Sequence, residues 1–158
     1  MQKIYPREQL SRLIESSHRD GLTVGFANGC FDVLHVGHIR YLQDAKEHCD
    51  ILVVALNDDA SVRKLKGSGR PITPLSERME LVAAFQSVDF VTFFGEATVE
   101  ETLRILKPDI QFKGTDYTPE TVPERHVMAE IGGLVMIVGD PKDHSTTELI
   151  EKMGENDE

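Results

Sequence analysis

Two histidines separated by a valine and a glycine are the side chains best suited to chemistry in this sequence. His35 and His38 are three residues apart, so in the first turn of a helix their imidazole rings would share one face. Gly37 between them would leave the approach of a ligand unblocked. A zinc pair is the alternative interpretation, but no third metal ligand follows nearby. The pattern favours two hydrogen-bond donors to a phosphate group.

The residues that precede the histidines predict an anion-binding loop. Asn28, Gly29, Cys30 and Phe31 lead toward the N-terminus of the predicted helix. Gly29 would let the backbone pass close to a ligand, and the N–H groups beyond it suit an anion. Asp32 would orient this loop or the substrate, or cap the turn that follows.

A run of basic residues is the third feature with chemical potential. Within 16 residues that contain one acid, Glu77, the chain carries five cations: Arg63, Lys64, Lys66, Arg70 and Arg78. The whole chain has 17 Lys and Arg residues against 27 Asp and Glu residues, a formal charge of −10, which argues against a nucleic-acid binder. A local group of cations can still bind phosphates, and the alternative is a solvated surface.

These features have to be positioned by secondary structure, and the hydrophobic pattern alternates between strand and helix. Strands are predicted over residues 22–27, 51–56, 90–94, 109–113 and 134–138. Helices are predicted over residues 6–21, 35–47, 73–85, 98–106 and 123–131, with a last helix beginning at Ser145. The alternation predicts an α/β fold, a doubly wound five-stranded parallel sheet of the Rossmann-like type.

Local signals support three of the helix starts. Pro74 suits the first turn of its helix. Thr98 with Glu101, and Ser145 with Glu148, have the spacing of capping boxes.

Polar, glycine-containing segments follow four of the predicted strands, at residues 27–38, 57–70, 114–117 and 139–147. In an open parallel sheet the ligand lies beyond the carboxyl ends of the strands, where the strand order reverses. The sequence therefore predicts that these four segments converge on one binding site.

Length and composition set the class of protein. A chain of 158 residues fits a single domain, with its core at about residues 22–152, a short N-terminal helix before it and an acidic tail after it. No apolar run approaches the ~20 residues of a membrane span, and the N-terminus lacks a signal-peptide pattern, so we expect a soluble cytoplasmic protein. Cys30 and Cys49 form no CxxC pair, which argues against a disulfide framework and a structural zinc site.

Residues 29–38, GCFDVLHVGH, resemble the signature of the cytidylyltransferase-like nucleotidyltransferases, whose hallmark is the HxGH motif found here at residues 35–38. The resemblance continues through RKLKG at 63–67, ERM at 77–79, KGTDY at 113–117 and STT at 145–147, and covers about residues 22–152. Within this superfamily the chain is most similar to the adenylyltransferases that make ADP-activated heptose from D-glycero-β-D-manno-heptose 1-phosphate. Many members are fused to a sugar kinase, whereas this chain resembles the stand-alone form.

Two other functions stay open on the sequence. Glycerol-3-phosphate cytidylyltransferases, which use CTP, share HxGH and a final STT, but typically carry Arg-Thr-x-Gly-Ile before it. This chain has residues 141–144, PKDH, at that place, and those enzymes lack its KGTDY segment. A non-catalytic nucleotide sensor on the same fold is the third hypothesis, although it would not need His35, His38, Lys64 and Lys66 together.

The resemblance implies small-molecule substrates, namely ATP with Mg²⁺ and a sugar phosphate, no nucleic-acid or membrane partner, and a homodimer. It implies catalytic roles for His35, His38, Lys64 and Lys66, and the two lysines match the phosphate-contacting lysines of the family. The remaining implied nucleotide- or substrate-binding residues are Asn28, Gly29, Cys30, Phe31, Asp32, Asn57, Asp58, Arg78, Lys113, Gly114, Asp116, Tyr117, Ser145, Thr146 and Thr147. Asp116 and Tyr117 would face the sugar, with a structural turn as the alternative, and Ser145, Thr146 and Thr147 could serve only as a helix cap.

Overall fold

Five short apolar segments pair into one parallel sheet in a computed structural model that describes residues 2–140 and 150–154. The strands are β1 (Val24–Gly29), β2 (Ile51–Asn57), β3 (Phe90–Phe94), β4 (Ile110–Lys113) and β5 (Leu134–Ile137). Every pairing is parallel and the order is β3-β2-β1-β4-β5. The predicted doubly wound sheet is confirmed, and its strand order reverses between β1 and β4.

Six helices connect or flank these strands within residues 2–140. They are α1 (Arg7–Arg19), α2 (Val36–Glu47), α3 (Asp59–Lys66), α4 (Leu75–Ala83), α5 (Glu100–Leu106) and α6 (Arg125–Glu130). Helix α3 was missed, because residues 57–70 are polar enough to suggest a loop. The Asp58 side chain caps α3 by accepting a hydrogen bond from the Ser61 N–H, and Val62 buries its apolar face.

The alternation of side chains along β2 shows how the sheet builds two core layers. Leu52, Val54 and Leu56 pack on the face that also carries residues of α2 and α4. Val53 and Ala55 pack on the opposite face with residues of α1, α5 and α6. Because all five are fully buried, β2 requires a continuous apolar sequence. Within the described part of the chain, no helix has the length and apolar character needed to cross a membrane.

Several predicted boundaries need correction. Strand β1 starts at Val24 rather than at residue 22, and Pro74 is the N-cap of α4, just before its first turn. The predicted Thr98 capping box is wrong. Helix α5 begins at Glu100, so Glu101 occupies its second position rather than the third, and Thr98 only accepts a 3.4 Å hydrogen bond from the Glu100 N–H.

Candidate active site

The predicted convergence of polar segments is confirmed for the described exits, since all strands are parallel and their carboxyl ends share one edge of the sheet. Side-chain hydrogen bonds join neighbouring exits. They run from Cys30 Sγ to Asn57 Oδ1 (3.8 Å), from Gln111 Nε2 to Asn28 Oδ1 (3.5 Å) and from Thr115 Oγ1 to the Asp140 carbonyl (2.8 Å). These hydrogen bonds therefore connect β2, β1, β4 and β5 at this edge or just below it.

The two histidines are held by backbone hydrogen bonds at the start of α2. His35 is the N-cap residue, and its Nδ1 accepts a 3.1 Å hydrogen bond from the Gly37 N–H. Nδ1 of His38 accepts a 3.1 Å hydrogen bond from the His35 N–H, and the two ring centroids are 4.1 Å apart. Because a neutral imidazole that accepts at Nδ1 carries its proton on Nε2, both rings present an Nε2–H donor on the side away from the backbone.

Gly37 has a steric role beside the two histidines. A Cβ at this position would lie 2.8 Å from Cε1 and 2.9 Å from Nδ1 of His35. Such distances are far below van der Waals contact, so the glycine makes room for the His35 ring, and its effect on the approach of a ligand stays a prediction.

Phe31 supports the histidine turn from below. Its backbone has φ of +49°, a conformation that costs of order 1–3 kcal/mol for a residue other than glycine. The ring is buried, packs over Gly29 and lies 5.3 Å from the His38 ring centroid. The packing of the Phe31 ring against Gly29 and His38 thus offsets the backbone strain at Phe31.

Asp32 ties the β1 loop to the segment between α3 and α4. Its buried carboxylate accepts hydrogen bonds from Arg70 Nε (2.6 Å) and from the N–H groups of Ile72 and Thr73 (both 2.9 Å). Burial alone would raise the pKa of Asp32, but the Thr73 and Ile72 amides and the Arg70 guanidinium together lower it. Of the alternatives, the geometry supports the orientation of the loop.

The residues of the basic run differ in burial, and Arg78 lies in the protein interior. Its side chain is 0% exposed. The guanidinium donates from Nη1 to the carbonyls of Cys30 and Asn57 (both 2.8 Å), from Nε to the Thr73 carbonyl (2.9 Å) and from Nη2 to Asp59 (2.7 Å). Arg78 therefore joins the exits of β1 and β2 to α4, and its contact with a nucleotide stays a prediction.

Lys64 and Lys66, by contrast, are exposed on the last turn of α3. Burial raises the pKa of the Cys30 thiol, and the charge of Lys66 is the largest influence that opposes the shift. The ammonium group of Lys66 is thus electrostatically coupled to the loop that holds the histidines. Cys30 is a neutral thiol near pH 7, so its expected contribution is through its backbone.

Asn57 and Asp58 have structural partners at the end of β2. Asn57 donates from Nδ2 to Ser61 Oγ at 2.9 Å. The Asp58 carboxylate accepts from the Ser61 N–H at 2.8 Å and lies so close to Gly95 that a Cβ there would be 2.6 Å from Oδ2. Both side chains position α3, and their contacts to a nucleoside stay a prediction.

The end of β4 combines a buried ion pair with a tight turn. Lys113 Nζ lies 3.7 Å from Glu124 Oε2 and 5.2 Å from the ring centroid of Tyr117. The Tyr117 N–H donates to the Gly114 carbonyl at 3.1 Å, and Asp116 is exposed within this turn. The turn alternative is confirmed, and the contact of Asp116 and Tyr117 with a sugar stays a prediction.

Sequence reasoning missed several residues that hold this edge together. Tyr41 of α2 donates its hydroxyl to the Phe112 carbonyl (2.8 Å), and Asp44 accepts from the Gly139 N–H (2.7 Å). Gln111 is fully buried within β4. A glutamine between two apolar residues of a short strand was the available signal. Ser145, Thr146 and Thr147, with the Ser145 capping box, lie outside the described residues.

Comparison with known proteins places this geometry in a family. The bifunctional protein HldE of Syntrophotalea carbinolica is 46% identical over 151 residues, which is 96% of this chain and 31% of that protein. HldE of Caulobacter vibrioides gives the same identity and coverage, 46% over 151 residues, 96% of this chain and 31% of that protein. The chain thus spans about a third of the length of these curated relatives.

A solved structure and a family match extend the likeness to the fold. The crystal structure of the lipopolysaccharide core biosynthesis protein from Thermoplasma volcanium GSS1 superposes with a TM-score of 0.66 at 28% identity, covering 77% of this chain and 100% of that one. The cytidylyltransferase-like family matches residues 26–152, which include the histidine turn and every strand exit described above. With its HxGH turn, its strand order and this match in agreement, the chain belongs to the cytidylyltransferase-like family.

Proposed function

We propose that the chain is a nucleotidyltransferase that, within a single domain, transfers AMP from ATP to a sugar 1-phosphate, giving an ADP-sugar and pyrophosphate. The observation that carries the proposal is the histidine turn. Both Nδ1 atoms accept backbone hydrogen bonds, so both rings offer an Nε2–H donor at the N-terminus of α2. This turn lies at the edge where ligands bind in doubly wound sheets.

The substrate class is supported by the relatives. The Thermoplasma volcanium neighbour is a lipopolysaccharide core biosynthesis protein, which favours a sugar as acceptor. KGTDY at residues 113–117 and the resemblance to heptose adenylyltransferases favour D-glycero-β-D-manno-heptose 1-phosphate. The HldE proteins, 46% identical over this region, are consistent with that acceptor.

The reaction needs alignment and charge stabilisation more than proton transfer. A sugar phosphate has a second pKa of about 6, so its oxygen is already an anionic nucleophile at neutral pH. This oxygen attacks the α-phosphorus of ATP, the bond from that phosphorus to the bridging oxygen breaks, and pyrophosphate leaves with the bonding electrons. Negative charge accumulates at the α-phosphorus and on the leaving group, and donors must be in place to receive it.

The proposed roles follow from the positions of the donors. The Nε2–H groups of His35 and His38, with backbone N–H groups of residues 29–31, would stabilise the oxygens of the five-coordinate α-phosphorus. The N-terminus of α2 adds its partial positive charge. Lys64 and Lys66, exposed at the end of α3, would neutralise the β- and γ-phosphates.

The Mg²⁺ ion would arrive with ATP. No three His, Cys, Asp or Glu side chains form a metal-binding group in residues 2–140 and 150–154, which fits an ion held chiefly by phosphate oxygens and water. When bound, the ion would neutralise phosphate charge. The expected homodimer and cytoplasmic location also stay predictions.

Pyrophosphate release tests the proposal. The chain is incubated with Mg²⁺, one of ATP, CTP, GTP or UTP, and one of a panel of acceptors that includes heptose 1-phosphate, other sugar 1-phosphates and glycerol 3-phosphate. We expect release with ATP and a sugar 1-phosphate, and an ADP-sugar by mass spectrometry. Turnover of CTP with glycerol 3-phosphate would favour a cytidylyltransferase. Binding of ATP without release from any acceptor would favour a nucleotide sensor.

A further inference from the structure

A buried polar chain lies beneath the point where the strand order reverses. Phe26 of β1 is paired with Gln111 of β4, so two residues further along Asn28 and Lys113 lie near the carboxyl ends of adjacent strands, on the same face of the sheet. Neither Gln111 nor its partner Glu124 belongs to the expected site. The position is the crevice in which doubly wound sheets bind ligands.

The hydrogen-bonded side chains of this buried group extend from Glu124 through Gln111 to Asn28. Gln111 is 0% exposed, and its Nε2 lies 3.4 Å from Glu124 Oε2 and 3.5 Å from Asn28 Oδ1. The same Glu124 oxygen is 3.7 Å from Lys113 Nζ. One carboxylate therefore faces both the ammonium group of Lys113 and the amide group of Gln111.

These contacts determine which way each amide points. A carboxylate paired with an ammonium group offers acceptors only, so Gln111 must turn its NH₂ group toward Glu124. The second N–H of that group then reaches Asn28, which must accept through Oδ1. Among the described residues the buried Oε1 of Gln111 has no hydrogen-bond partner, as expected if its orientation is imposed by Glu124 rather than by its own acceptor.

We infer that Glu124 and Gln111 are positioning residues that fix Asn28 as a hydrogen-bond donor toward the crevice. Asn28 is half-buried, whereas Gln111 on its inner side is fully buried. With Oδ1 facing inward, its Nδ2 amino group is directed away from Gln111 and toward the open end of the strand. It donates to a phosphate oxygen of a bound substrate, either the triphosphate or the sugar phosphate, and in this respect the inference rests on the proposed function.

A double-mutant cycle separates this role from a structural one. The variants are Gln111→Met, which keeps the side-chain length and removes both donors, Asn28→Ala, and the double variant. KM is measured for ATP and for the sugar 1-phosphate, each with the other at saturation. Thr92→Val is the matched control, because Thr92 is also fully buried and its hydroxyl has no hydrogen-bond partner in the described part of the chain, but it lies on β3 at the far edge of the sheet.

We expect Gln111→Met to raise KM for one substrate about 10-fold with kcat changed less than about 2-fold, as for lost binding that is equal in the ground and transition states. The substrate whose KM rises identifies the phosphate that Asn28 binds. In the Asn28→Ala background the same substitution should change KM less than about 2-fold, because the donor it orients is absent. Thr92→Val should leave both KM values near wild type.

Equal KM changes for Gln111→Met in both backgrounds, or no change in either KM, would overturn the inference. If Gln111→Met does not fold, Glu124→Gln is read by the same cycle, since it replaces the acceptor-only anchor by an amide that can also donate. Should no sugar phosphate support turnover, the affinities for ATP and for heptose 1-phosphate are measured by calorimetry on the same variants. Loss of affinity that depends on Asn28 then supports the inference even though the proposed function fails, and unchanged affinity for both ligands overturns it.

Discussion

The histidine turn and the basic run both contain side chains suited to phosphate binding, but the fold holds these side chains differently. In the turn, Nδ1 of His35 and Nδ1 of His38 each accept a hydrogen bond from a backbone amide, and the buried Phe31 ring packs near the His38 ring. In the basic run, the cationic residues look equivalent in the sequence but differ in burial. Arg78 is buried and joins neighbouring segments, whereas the lysines of α3 are exposed. The hydrogen bonds of the histidine turn fix the orientation of both rings. The basic run, by contrast, contains one arginine that stabilises the fold and lysines that contribute positive charge at the surface.

The difference between the two regions indicates when the type of a residue is enough to predict its role. A histidine at a helix N-terminus has few structural alternatives, because one ring nitrogen accepts a hydrogen bond from a free amide there and the orientation of the ring is thereby fixed. An arginine near a strand exit has many alternatives, since buried carbonyl groups from several segments compete for its five donors. Arg78 satisfies three such carbonyls and one carboxylate.

Removal of one histidine should have the largest effect. His38→Ala is expected to lower kcat for pyrophosphate release about 10³-fold, the scale for loss of a donor to a transition-state oxyanion. The loss of its cap to the His35 N–H should destabilise the fold by only about 1 kcal/mol, checked by urea unfolding. His126→Ala, an exposed histidine outside the site, is the control. Turnover near that of the control would refute the catalytic assignment of the turn.

Arg78 should affect stability rather than the rate alone. Arg78→Met leaves the carbonyls of Cys30, Asn57 and Thr73 without their donor. Since Asp59 remains 42% exposed, we expect a loss of about 3 kcal/mol in the free energy of unfolding, at the lower end for broken buried pairs. Arg104→Met, an exposed arginine paired with Glu130, is the control and should leave the free energy of unfolding close to that of wild type. A variant with wild-type stability and a raised KM for ATP would instead favour a triphosphate contact.

The sequence predicted the parts of this molecule whose physics is local or periodic. Continuous apolar runs such as β2 predict buried parallel strands, and strand exits followed by Gly37 or Gly114 predict the edge that carries the site. Helix α3 escaped prediction, because its apolar face reduces to Val62 among polar residues and its stability comes from the Asp58 cap and from packing.

Roles that depend on a distant partner could not be derived in this way. Asp32 gains its function from amides 40 and 41 residues away, at Ile72 and Thr73. The orientation of Asn28 depends on Gln111, 83 residues along the chain. Nothing in the spacing of residues reports such pairs, whereas the HxGH turn is complete within four residues.

Gly37 offers a smaller change that sharpens the comparison. Gly37→Ala places a Cβ against the His35 ring, where 2.8 Å separates it from Cε1, and the ring has to move. We expect kcat to fall about 10- to 100-fold while unfolding by urea shows no loss of stability, because alanine favours a helix by up to about 1 kcal/mol over glycine. Gly154→Ala, with open space around its Cβ, is the control. Wild-type kcat in Gly37→Ala would mean that the position of the His35 ring does not matter.

Lys66 should give the smallest effect, because an exposed ammonium group acts through a screened field rather than through a fixed contact. Lys66→Ala is expected to raise KM for ATP about 10-fold, equivalent to about 1.4 kcal/mol, with a lesser change in kcat. The difference from wild type should shrink as salt is raised from 0.05 to about 0.5 M, since the Debye length falls below about 5 Å. Lys152→Ala, an exposed lysine of the C-terminal segment, should leave KM unchanged at every salt concentration. If neither KM nor kcat responds to Lys66→Ala, the α3 lysines are solvated surface, and the histidine turn must bind the triphosphate without them.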